Sequence, residues 1–95
     1  MKRLGIYFFF DKDGIVDKYV DYVLEDLTKH VDKLIVVCNG QLNEQGRKTF
    51  EKFTGNIIVR ENKGFDVWAY KTAIDSEGWN KLIEYDEIIL MNYTI

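Results

Sequence analysis

Short apolar runs alternate with amphipathic stretches along this chain. Leu4 to Phe10 is nearly continuous in apolar side chains, as suits a strand covered on both faces of a parallel sheet. Asp11-Lys12-Asp13-Gly14 then breaks the run with loop chemistry. Val16, Val20, Val23, Leu24, Leu27 and Val31 recur at steps of three and four, with Asp17, Lys18, Asp21, Glu25, Asp26 and Lys29 on the other face. That spacing predicts an amphipathic helix. Asp13 is its expected N-cap, with Asp17 in the first turn and Lys29 and His30 in the last, where each charge suits the helix dipole.

Leu34 to Cys38 is a second apolar run, rich in β-branched residues and followed by Asn39-Gly40. In a hairpin Asn-Gly would form a tight turn, but a helical pattern follows, so the pair is expected as the loop at a strand's C-terminal end. Asn43 to Phe53 reads as a weaker helix with Gly46, Phe50 and Phe53 on one side and Gly55 as its terminating glycine. Asn56 to Arg60 is a third strand. Phe65 to Ile74 predicts a short helix burying Phe65, Trp68, Ala69, Ala73 and Ile74; Ser76-Glu77-Gly78 interrupts, and Trp79 to Tyr85 adds a turn or two. Glu87 to Met91 is a fourth strand, left through Asn92-Tyr93-Thr94-Ile95.

The order strand, helix, strand, helix, strand, helix, strand with short links predicts right-handed βαβ units. The expected fold is α/β, a Rossmann-like three-layer sandwich around a mainly parallel four-stranded sheet (β-α-β-α-β-α-β). Residues 1–95 are read as a single α/β domain. Because the sequence stops as the fourth strand ends, it is expected to be a fragment of a larger domain.

Composition narrows the function. The chain holds 13 basic and 16 acidic residues, net charge -3, with no basic cluster, so nucleic acid is not an expected partner. The single cysteine, Cys38, excludes an internal disulfide and a four-cysteine zinc site. No apolar run is long enough to cross a bilayer. A cytoplasmic location is expected, with contact at the inner face of the membrane left open.

In an open parallel sheet, ligands bind at the C-terminal ends of the strands. Four segments fall there: Asp11 to Gly14, Asn39 to Gln41, Glu61 to Asp66 and Asn92 to Thr94. Asp11 and Asp13 suit a helix cap, or a metal or ribose. Asn39 suits a turn, or a base edge or ribose. Asn62, Gly64 and Asp66 make either a capped loop or a polar clamp for the sugar or ribose of a nucleotide, with Gly64 permitting close backbone approach. Neither GxGxxG nor GxxxxGK[ST] occurs, which counts against a dinucleotide dehydrogenase and a P-loop enzyme. A receiver-like domain has the Asp11/Asp13 pair, but Asn39 stands where its acceptor Asp would be sought.

Three segments carry a family resemblance. They are Phe10-Asp11-Lys12-Asp13-Gly14-Ile15-Val16-Asp17 with Tyr19; Arg60-Glu61-Asn62-Lys63-Gly64-Phe65-Asp66 with Trp68-Ala69-Tyr70-Lys71; and Asp86-Glu87-Ile88-Ile89-Leu90-Met91-Asn92. In this order they resemble the rhamnan synthesis protein F family. The resemblance implies the nucleotide-binding half of a GT-A-like glycosyltransferase in rhamnose-containing cell-surface polysaccharide synthesis. Its partners would be a nucleotide-sugar donor such as dTDP-rhamnose and a polysaccharide or lipid-linked acceptor. A divalent cation (Mg or Mn) would serve the full-length enzyme. Carried over, Asn62, Gly64 and Asp66 are donor-site residues with Lys71 near them, Asn39 takes the place of an acidic base-binding residue, and Asn92 opens the metal segment. There Tyr93 stands where the family has Asp, and a tyrosine is no hard-cation ligand at neutral pH. The alternative is a non-catalytic binding or interaction module derived from that family.

Overall fold

The computed structural model describes residues 1–62 and 66–93, with Asp66 through its main chain. Its elements run β1 (Arg3–Asp11), α1 (Lys18–Thr28), β2 (Lys33–Gly40), α2 (Glu44–Glu51), β3 (Ile57–Arg60), α3 (Asp66–Glu77), α4 (Trp79–Leu82) and β4 (Glu87–Asn92). The strands form one sheet in the order β3-β2-β1-β4, and every neighbouring pair is parallel. The expected Rossmann-like α/β sandwich is therefore what the chain forms.

Both faces of the sheet are covered, as nearly continuous apolar strands require. Tyr7 and Phe9 of β1 and Leu34, Val36 and Cys38 of β2 pack with Val20, Leu24 and Leu27 of α1 and Phe50 of α2. On the opposite face Leu4, Ile6, Ile35 and Val37 pack with Ala69 and Ala73 of α3 and Leu82 of α4. The period-two alternation of each strand thus sorts its residues between an α1/α2 face and an α3 face. Two aspartates align the strands at their N-terminal ends. The Asp32 carboxylate accepts from the Arg3 N–H at 2.7 Å, and the Asp86 carboxylate accepts from the Lys2 N–H at 2.7 Å.

Several local expectations change. Asp17, not Asp13, caps α1, its carboxylate accepting from the Tyr19 N–H at 2.9 Å. The helix starts late because the chain first turns through Gly14 at φ +70°. Lys29 is the C-cap, and no basic residue lies in the last turn. Gly55 does not terminate α2, which ends at the right-handed C-cap Lys52, and Gly55 has no positive φ. Asn43 does cap α2, accepting from the Gly46 N–H at 2.7 Å. Asn39 and Gly40 are the last residues of β2 and pair with Phe10 and Asp11, rather than forming a loop. Trp68 is 53% exposed instead of buried, because Ala69 and Ala73 are the residues α3 lays on the sheet.

Candidate functional site at the C-terminal edge of the sheet

All four strands end on the same side, since all are parallel. Alternation then divides the candidate residues. Cys38 belongs to the α1/α2 face, so Asn39 falls on the α3 face, as does Arg60 two residues after Ile58. The two are register partners. Arg60 Nη1 donates to Asn39 Oδ1 at 2.9 Å.

Asn39 is 1% exposed, and its Nδ2 has no hydrogen-bond partner among the described residues. Leaving such a donor unmet in the interior costs about 1–3 kcal/mol. A buried polar group in that state calls for a partner. Gly40 follows at φ +85°, and a Cβ there would lie 3.6 Å from the Phe10 ring and 3.7 Å from Asn62 Cβ. Asn62 therefore comes up beside the end of β2, as its place after β3 demands. Asn92, the last residue of β4, pairs with Phe8 and shares the α3 face with Ile88 and Leu90 by alternation.

Asp11 goes elsewhere. It alternates with Tyr7 and Phe9 onto the α1/α2 face, and its carboxylate accepts from the N–H groups of Asp13 and Ile15, each at 3.0 Å. Its carbonyl accepts from the Gly14 N–H at 3.0 Å. These bonds build the loop after β1, on which Asp13 sits exposed. Lys71 pairs with Asp75 at 3.0 Å, one turn along α3, and is not held toward Asn39. Gly64 lies outside the described residues; Asp66 opens α3.

Tyr93 occupies the position where the resemblance expects a metal-binding Asp. Its ring centroid lies 5.1 Å from that of Phe9, and the half-buried ring packs against the α1/α2-side core. Burial, then the charges of Asp17 and Asp11, raises its hydroxyl pKa. Asn92 is a neutral amide. This donor set does not suit a hard divalent cation. Among the described residues no three His, Cys, Asp or Glu side chains gather as a metal group. Cys38 is buried, and burial pushes its thiol up to about 12, so it stays protonated.

A cleft of about 350 Å³ opens at the other end of the sheet, lined by residues including Lys33, Asn56, Glu77 and Lys81. Its acidic group is already satisfied. Glu77 accepts from Lys33 Nζ at 2.6 Å and from the Tyr85 hydroxyl at 2.7 Å.

Arg60 is the residue that sequence reading left out of the site. Only part of the signal lay in the sequence: alternation places an amide at the end of β2 and a guanidinium at the end of β3, while the register that pairs them comes from the assembled sheet.

Helices on both faces of a parallel sheet, with a buried amide bonded to a half-buried guanidinium at its C-terminal edge, define an α/β protein of the kind that binds ligands at strand ends. The family model for rhamnan synthesis protein F matches residues 34–95, and the chain belongs to that family. Membership ties it to rhamnan synthesis. The matched stretch includes the Arg60–Asp66 and Asp86–Asn92 segments; the Phe10–Tyr19 segment precedes it. No curated protein and no solved structure matches the chain significantly.

Proposed function

We propose that the chain is the donor-binding part of a glycosyltransferase that builds rhamnose-containing polysaccharide, taking a nucleotide-sugar such as dTDP-rhamnose. The observation that carries this reading is the buried Asn39 amide, whose Nδ2 has no partner among the described residues, at the C-terminal edge of a parallel sheet in a chain of the rhamnan-synthesis family. Asn39 would meet the nucleotide, and Asn62, Gly64 and Asp66 would hold its sugar or ribose. The N–H groups of nearby loops would offer positive potential to the diphosphate. Transfer itself would need an acceptor held in line with the anomeric carbon.

Titrating dTDP-rhamnose into the protein by calorimetry tests this. Saturable binding is expected, weakened about tenfold by Asn39→Ala, the cost of one lost hydrogen bond to a buried amide, and weakened also by Asp66→Ala. No binding to any dTDP- or UDP-sugar would refute it. That result would favour a non-catalytic interaction module, a reading supported by the packing of Tyr93 against the core where the resemblance expects a carboxylate.

A further inference from the structure

We infer that Arg60 is a positioning residue that fixes the polarity of the Asn39 amide, so that the site takes a hydrogen-bond-accepting oxygen of its ligand rather than an N–H. The inference rests on the donor-site reading above for where the ligand lies.

An amide can present either end, and which end faces a neighbour must come from the neighbour's chemistry. Arg60 has N–H donors and no acceptor. With Arg60 Nη1 2.9 Å away, the atom of Asn39 facing it is the oxygen. Turning the amide over would bring its NH2 against the guanidinium, donor against donor. The NH2 is thereby left as the other end, and among the described residues it has no partner, in a side chain only 1% exposed. A buried donor with a fixed orientation selects for an acceptor. An aspartate here would also accept from Arg60, but its second oxygen would accept from the ligand instead of donating to it. Asn39 therefore reverses the polarity that an acidic residue would give the position. The accepting oxygen can come from a pyrimidine carbonyl or from a diphosphate, and the two sources are separable.

The test is titration of the protein with dTDP, thymidine and inorganic pyrophosphate in turn, read by calorimetry and by the side-chain amide resonance of Asn39 in 1H–15N NMR. The wild-type chain is expected to bind dTDP with a shift of that resonance. Thymidine reproducing the shift identifies the base carbonyl, and pyrophosphate reproducing it identifies the phosphate. Asn39→Asp keeps the bond from Arg60 but is expected to lose about tenfold in dTDP affinity, since a donor becomes an acceptor. Because position 39 is buried, a second pair of variants at the edge strand gives an independent reading. Arg60→Lys still only donates and is expected to bind within about twofold of wild type, whereas Arg60→Met frees the amide and is expected to lose about fivefold. Wild-type affinity in Asn39→Asp or in Arg60→Met overturns the inference and leaves the donor-site reading standing. Failure of the wild-type chain to bind any of the three probes overturns the inference, and failure to bind any dTDP- or UDP-sugar as well overturns the donor-site reading.

Discussion

Gly14 is held at φ +70°, and a Cβ on it would come within 2.8 Å of the carbonyl carbon and oxygen of Gln41. The approach is close because Gly14 O accepts from the Asn43 N–H at 2.9 Å, tying the loop after β1 to the start of α2. Positive φ and backbone contact act together, so no side chain fits without moving main chain. Gly14→Ala is expected to destabilise the fold by roughly 1–3 kcal/mol, measured as a lower urea midpoint with unchanged slope. Loss of the Asp11 bonds to Asp13 and Ile15 would accompany it. At this scale part was readable in advance: that the chain turns at Gly14 and that Asn43 starts a helix, whereas Asp11 and the Asn39-Gly40 pair extend their strands instead of lying in loops. The N-cap was misplaced because Asp13 and Asp17 are equivalent by composition. Only the φ of Gly14 and the grip of Asp11 on its own loop decide between them.

At the scale of elements, α3 is joined to its surroundings by Glu77, whose side chain keeps 4% exposure. The Lys33 hydrogen bond lowers its pKa against the opposing effect of burial, with the Tyr85 hydroxyl adding to the lowering. Burial first, and then the bond to Glu77, pushes the Tyr85 hydroxyl up to about 12. The stability that Glu77 contributes is fully present above its ordinary value of 4.5 and is lost as pH falls through its depressed folded value. Tyr85 acts in the opposite sense: its contribution is complete below 10 and is lost as pH rises from there through about 12. Unfolding free energy against pH should therefore show a plateau between two falling limbs. Glu77→Gln is expected to cost roughly 1–3 kcal/mol at neutral pH, less than for a fully buried pair because Lys33 is 31% exposed, and to flatten the acid limb. An unchanged acid limb in the variant, followed by denaturant titration at several pH values, would count against this account. The sequence marked Ser76-Glu77-Gly78 as a break; α3 runs on through Glu77, and only Gly78, at φ +86°, interrupts it. It could not mark Glu77 as a joint, because its partners lie 44 and 8 residues away.

At the scale of the whole molecule, β4 is an edge strand whose two faces differ. Ile89 and Met91 pack on the α1/α2-side core, while Ile88 and Leu90, on the α3 face, stay 41% and 50% exposed. Their register partners Leu4 and Ile6 are buried in the α3-side core. An apolar edge of this kind favours association. Leu90→Lys is expected to leave stability within about 0.5 kcal/mol while raising the concentration at which light scattering first reports aggregates. No helix among the described residues is long and apolar enough to cross a membrane.

What the residues determined by themselves is the alternation of elements and the burial of both sheet faces. Hydrophobic period and run length act locally and survive in one dimension. From these, parallel strands and a shared C-terminal edge followed, and the fold agrees. The tertiary structure alone decided which polar residues meet there. Asn39 and Arg60 are 21 positions apart and bond only because β2 and β3 align in one register. Asp11, one position beyond Asn39's register partner Phe10, turns to the other face and serves its own loop. A shift of one residue in a strand moves a side chain through the sheet, and that register is a property of the assembled sheet, not of any segment.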